Sequence, residues 1–231
     1  MINDVIDLFK LTGLGLTLML PLANPLTSMT LLLSLSEHIP FRERQKQIRQ
    51  ATFYVIGIML VTFYAGTWIM STFGISIPGL RIAGGLIVAA IGFNMLFPQT
   101  TTDDIPEADA ATNIAERSVP NIAFVPLAMP GTAGPGTIAM IVSATSTIHT
   151  DHEYSRWVLE VTPILVFLLL GLLFWVCLRS AGRIVKIIGH DGVQAISRVM
   201  GFLLVCMGVQ FIINGVLEIV TTYLSSHPHI G

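Results

Sequence analysis

Charge is what this sequence has least of. Only 11% of its 231 residues are Asp, Glu, Lys or Arg, where a soluble domain carries about 25%. That shortage excludes a well-solvated globular surface. A net charge of −2 leaves no basic excess for a nucleic-acid partner. Cysteine is nearly absent: Cys177 and Cys206 each sit in an apolar run and read as small buried hydrophobes rather than a disulfide framework. No cationic stretch precedes the first apolar run, and the first lysine, Lys10, lies inside it. The expectation is therefore a retained membrane helix, not a cleaved signal peptide. No nucleophile–base pair, Gly-rich phosphate loop or carboxylate dyad stands out in a loop long enough to hold an active site. The chain reads as a non-enzyme without cofactor. His227 and His229 in the tail are two ligands where a metal needs more, so no metal is expected.

What fills the chain instead is apolar: 53% of residues are hydrophobic and mean hydropathy is +0.75. A run of about 20 apolar residues spans the hydrocarbon core. Such spans satisfy their backbone either as helices or as a closed barrel. Barrel strands alternate in polarity, whereas these runs are continuous, which predicts an all-α membrane protein. Six segments are read: 5–35, interrupted by Pro21 and Pro25; 51–73; 82–97; 122–148, interrupted by Pro126, Pro130 and Pro135; 157–178; and 196–223. Residues 98–120, rich in Asp, Glu, Thr and Ala, cannot build a core and read as an acidic flexible linker. It divides the chain into a first unit, 1–97, and a second, 121–231.

Lys and Arg set the orientation. Arg42, Arg44, Lys46 and Arg49 follow segment one; Arg179, Arg183 and Lys186 follow segment five. With six crossings, loops 36–50 and 179–195 and linker 98–120 share the cytoplasmic face, and both termini are periplasmic. The cationic stretch 42–49 also suits contact with anionic lipid.

The chain repeats itself. Pro21-Leu-Ala-Asn-Pro-Leu-Thr27 matches Pro126-Leu-Ala-Met-Pro-Gly-Thr132 at five positions, and Arg81-Ile-Ala-Gly84 matches Arg198-Val-Met-Gly201 at two. Gly92 and Gly208 follow nearly in register. Each unit thus reads as one copy of a three-helix repeat. Three crossings is odd, so the copies insert with inverted topology, the plan of many secondary transporters. A rival topology makes segments one and four re-entrant, but it places the two cationic loops on opposite sides, against the charge rule.

Both copies carry a broken first helix. Proline removes a helical hydrogen bond and clashes one turn back. Pro21 with Pro25, and Pro126, Pro130, Gly131, Gly134, Pro135 and Gly136, should open the backbone within the membrane. Unwound backbone at that depth is tolerated only inside protein or beside a water-filled cavity. There it offers half-helix N-termini to a carboxylate and free carbonyls to an ammonium or cation. The alternative is that these small residues only allow close helix packing. The candidate substrate site is Asn24, Pro25, Thr27, Ser28, Pro130, Gly131, Thr132, Gly134, Gly136 and Thr137.

These stretches, with Gly74-Ile-Ser-Ile-Pro-Gly-Leu-Arg-Ile-Ala-Gly-Gly85, Phe124–Ala139 and Ile196–Gly208, resemble the bacterial inner-membrane MarC family over nearly the whole chain. The linker and the tail lie outside the likeness. The resemblance implies a six-helix inner-membrane protein, within a wider family described as neutral amino-acid transporters or exporters. It supplies no ligand residues, so the site rests on the residues above.

Four ionisable residues at span ends are weaker candidates. Glu160 and Glu218 read either as carriers of a coupling proton or as interfacial anchors. Arg81 and Arg198, at matching helix starts, read either as gates or as residues that snorkel to headgroups. The function expected is secondary transport of a small solute, a neutral amino acid being the class read here, by alternating access, coupled to a proton or Na+. The alternative is a non-transporting membrane scaffold or regulator that acts through a partner bound by the linker.

Overall fold

The backbone of a computed structural model describes residues 2–36, 39–97, 121–129, 132–148 and 154–226. Every element among them is helical. Helix α1, Ile2–Ala23, and α2, Pro25–Leu35, form one interrupted span. Helix α3 is Phe41–Thr72 and α4 is Ile77–Leu96. A π-helical turn, Ala123–Ala128, leads to α5, Pro135–Ile148. The last helical stretch bends at Gly189, with φ 77° and ψ 164°, into α6, Arg156–Gly189, and α7, Asp191–Ser226. A positive φ of this kind favours glycine.

Five stretches are long and apolar enough to cross a membrane: Asp4–Leu35, α3, α4, α6 and α7. The expected sixth, 122–148, is not such a helix among the described residues. Val125 and Met129 are extended, and α5 has 14 residues, about 21 Å at 1.5 Å per residue, short of the ~30 Å core.

Helices extend past the apolar runs that marked them. α3 begins at Phe41, not residue 51, and α6 continues through Arg179, Arg183 and Lys186 to Gly189. Stretches 36–50 and 179–195, expected as loops, are thus largely helical. The reason is that Arg, Lys, Gln and Glu are good helix formers, so hydropathy falls while the helix goes on. α4 likewise starts before residue 82, because Ser76 accepts from the Gly79 N–H at 3.2 Å and Pro78 suits the first turn.

The core is apolar, built on Met29, Leu32, Ile48, Val55, Met59 and Phe174, all almost fully buried. The outside is also apolar: Trp68 is 71% exposed, Val61 61%, Leu86 58% and Phe202 57%. An apolar surface spread over every long helix suits hydrocarbon, not water.

The closest helix pair is α4 with α7. A Cβ on Gly208 would lie 2.5 Å from the Gly85 carbonyl oxygen, and one on Gly92 would lie 2.6 Å from that of Gly201. Farther along, one on Gly215 would lie 2.8 Å from the Pro78 oxygen. Residue numbers rise on one helix as they fall on the other, so the pair is antiparallel. Glycine lets the two backbones touch, as small residues do in membranes.

Candidate functional site

Both interruptions come to one place. On the first span, Pro25 occupies the opening turn of α2 and Asn24 takes φ 29° and ψ 69°. Asparagine tolerates this conformation better than most residues. Its Oδ1 accepts from the Thr27 N–H at 3.5 Å, capping α2. Its amide nitrogen donates to the Met95 sulfur of α4 at 3.3 Å, a weak acceptor. On the second segment the chain leaves the π turn, passes Thr132 and enters α5 at Pro135.

The two segments are stitched together. Ser28 and Thr132 share a hydroxyl–hydroxyl hydrogen bond of 2.9 Å, with both side chains buried. Thr137 donates to the Thr132 carbonyl oxygen at 2.9 Å, which satisfies a carbonyl that the interrupted helix leaves open. Beside this stitch lies a cavity of about 350 Å³. Its polar lining is Asn24 and Thr27 from one span, Gly134, Gly136 and Thr137 from the other segment, and Asn94 from α4. Leu22, Val88, Ile91 and Leu204 supply apolar walls. The first turns of α2 and α5 both border the hollow, so two helix N-termini stand beside it.

Of the ten substrate-site residues expected from the sequence, five line this cavity: Asn24, Thr27, Gly134, Gly136 and Thr137. Pro25 begins α2, and Ser28 and Thr132 form the stitch. Pro130 and Gly131 lie outside the described residues, as do linker 98–120 and the tail histidines. Sequence reasoning missed Met95 as the partner of Asn24.

The four ionisable candidates separate. Arg81 of α4 forms an ion pair with Glu218 of α7 and donates from Nε to Ser143 Oγ of α5 at 2.6 Å. Arg81 is 17% exposed and Glu218 37%. The triad ties three helices, and its Arg81 and Ser143 border a larger, mainly apolar cavity of about 550 Å³, bordered also by Leu14, Met19, Phe167 and Asn214. Arg198 and Glu160 are exposed and join neither cavity. The Glu160 backbone carbonyl accepts from the Tyr64 hydroxyl. Ser143 was not singled out, because it stands among other hydroxyl residues, Thr145, Ser146 and Thr147.

Comparison with known proteins gives the family. The model described as "MarC family integral membrane protein" matches residues 9–220. The inner membrane protein MarC of Salmonella typhimurium is 58% identical over 220 residues, 95% of this chain and 100% of that protein. The proteins of the same name in Salmonella arizonae and in Escherichia coli O1:K1 are each 57% identical over the same shares. No solved structure matches the chain. With a match across almost all its length and several membrane-crossing helices, this chain belongs to the MarC family of multi-pass inner-membrane proteins.

Proposed function

We propose that this protein is a secondary transporter of a small zwitterionic solute, a neutral amino acid being the class that fits, and that the solute binds in the cavity between the two interrupted segments. The observation that carries the reading is that polar groups from both breaks, Asn24 and Thr27 on one side and Gly134, Gly136 and Thr137 on the other, border one hollow. A cavity of about 350 Å³ sits at the small end of ligand pockets, which run from about 300 to 1,000 Å³. The paired helix N-termini suit a carboxylate. The Asn24 amide nitrogen adds a donor for the same carboxylate, and the Asn94 amide oxygen and the Thr27 and Thr137 hydroxyls suit an ammonium. The apolar walls leave room for a short uncharged side chain.

The same reading makes the two units an inverted repeat whose six crossings include the interrupted segment 122–148. The α4–α7 seam supports it. Gly85 of α4 meets Gly208 of α7, and Gly92 meets Gly201, the kind of exchange that a two-fold axis relating the two helices requires. Alternating access is then rocking of one repeat against the other around the cavity. The Arg81–Ser143–Glu218 triad is the tie that opens on one side.

The test is flux of labelled alanine, threonine and homoserine in proteoliposomes, with Gly134→Leu as the blocked variant. Flux of at least one solute that this variant abolishes, while its melting profile is kept, is expected. Absence of flux for every small neutral solute, from protein shown to be folded, sinks the proposal. Deleting residues 103–116 separates the scaffold alternative: transport tolerates the deletion, partner binding through the linker does not.

A further inference from the structure

The cationic ends of α3 and α6 enclose a pocket that the transport reading does not use. Arg42, Lys46 and Arg49 recur at spacings of four and three along α3, which puts them on one helix face. Arg179 of α6 faces them, because its Nη1 donates to Gln45 of α3 at 2.9 Å. The same guanidinium stacks over the Trp175 ring, 5.3 Å from its centroid. These residues bound a cavity of about 550 Å³. Its one carboxylate, Glu43, lies 3.7 Å from Lys46 and offsets one of the four cations.

We propose that this pocket binds the phosphodiester headgroup of an anionic phospholipid, with a lipid that carries two phosphates fitting best. Arg179 is held by Gln45 and Trp175 rather than left to wander, so its remaining N–H groups are presented as a fork. A guanidinium fork matches phosphate oxygens in pairs. Three further cations around one hollow exceed what a single phosphate needs. Basic pockets between transmembrane helices hold multiply charged headgroups in this way. The occupant is a lipid rather than a soluble anion because Arg179 and Trp175 share a face of α6, by helical spacing, with exposed aliphatic side chains. Trp175 is an interfacial residue type, and the neighbouring Leu172 and Val176 of α6 are exposed aliphatics along which acyl chains can lie.

The experiment is native mass spectrometry of the full chain released from nanodiscs. The discs contain phosphatidylcholine with either a diphosphatidyl lipid or phosphatidylglycerol, and parallel samples add inorganic phosphate. One anionic lipid should stay bound per chain, the diphosphatidyl form most tightly. Each Lys or Arg near the surface contributes about fivefold, so Arg42→Gln with Arg49→Gln should weaken retention about 30-fold. Arg44→Gln is the control, since Arg44 lies over the Phe41 ring at 5.6 Å and outside the pocket. Its retention should match wild type. Equal retention of phosphatidylcholine overturns the proposal. So does an equal loss with Arg44→Gln, which reveals unspecific charge, or displacement of the lipid by millimolar inorganic phosphate, which reveals a soluble-anion site. Amino-acid flux is not part of this test, so it stands or falls apart from the transport reading.

Discussion

Gly208→Ala should loosen the α4–α7 seam by a calculable amount. The added methyl would sit 2.5 Å from the Gly85 carbonyl oxygen and 2.7 Å from the Ala89 amide nitrogen. Both are backbone atoms in a helix, so neither can swing away as a side chain would. Ordinary contact begins near 3.4 Å, so the helices must part by roughly 0.9 Å, and overpacking of this kind costs about 1–3 kcal/mol. Alanine's better helix propensity, about 1 kcal/mol over glycine, offsets part of this. The net expectation is about 0–2 kcal/mol of destabilisation against wild type, and about 1–3 kcal/mol against a control that keeps the propensity gain. Gly57→Ala is the matched control: nothing lies within 4 Å of its new Cβ, so only the propensity gain remains.

Gly92 lies seven residues from Gly85, about 10 Å along α4, and presses on the same seam. Once Gly208→Ala has separated the helices, Gly92→Ala should cost less than it does alone. The double variant should therefore be sub-additive by more than the ~0.5 kcal/mol seen for independent sites. The assay is reversible unfolding by SDS titration in mixed micelles, followed by circular dichroism. If Gly208→Ala were as stable as Gly57→Ala, close backbone contact at this seam would be refuted.

Asn24→Gly should keep the fold, because glycine takes the backbone conformation of Asn24 without strain, whereas Asn24→Ala should melt about 1 kcal/mol lower; both should lose solute flux if Asn24 contacts the solute. Arg81→Gln and Glu218→Gln should each lower stability and slow flux. The double variant should recover part of the stability in a double-mutant cycle, at a coupling between the ~0–1 kcal/mol of exposed pairs and the ~3–5 kcal/mol of buried ones, because Glu218 is partly exposed. In a background lacking Cys177 and Cys206, Ser226→Cys should react with a membrane-impermeant maleimide added to intact spheroplasts and Lys186→Cys should not. The reverse labelling would invert the orientation read from Lys and Arg.

The breaks were legible because proline, glycine and asparagine carry their backbone consequences locally. Pro25 opens α2, Pro135 opens α5, and Asn24 takes the conformation that helix-forming residues avoid. The helix ends were not legible, because hydropathy reports where lipid stops. Arg42 to Arg49 leave the apolar run yet continue α3, and a single glycine, Gly189, is all that marks the bend between α6 and α7. Partners across the fold were the least legible. Arg81 and Glu218 stand 137 residues apart, and Asn24 and Met95 stand 71 apart. No local pattern joins such pairs; the packing of α4 against α7 and of α4 beside the first break does.

Interrupting a helix inside a membrane leaves backbone and hydroxyl groups with no water to satisfy them, at several kcal/mol for each unpaired group. If the breaks served packing alone, the polar groups they free should all be turned onto one another and the space between them closed. Part of the arrangement does this: Ser28 bonds Thr132, and Thr137 bonds the Thr132 carbonyl. Beside that stitch, however, Asn24 spends its amide on a methionine sulfur, and Asn94 and Thr27 border the same unfilled space. A thioether is a poor acceptor for an amide that could hold a charged oxygen. Exchange of the Met95 sulfur for a solute carboxylate would convert a weak contact into a charge-assisted one. Asn24 and Met95 are therefore where occupancy of the cavity should first register, and Met95→Leu, which removes the competing acceptor at similar volume, should tighten solute binding rather than weaken it in a thermal-shift titration with alanine. Weaker binding in Met95→Leu would mean that the sulfur positions Asn24 instead of competing for it.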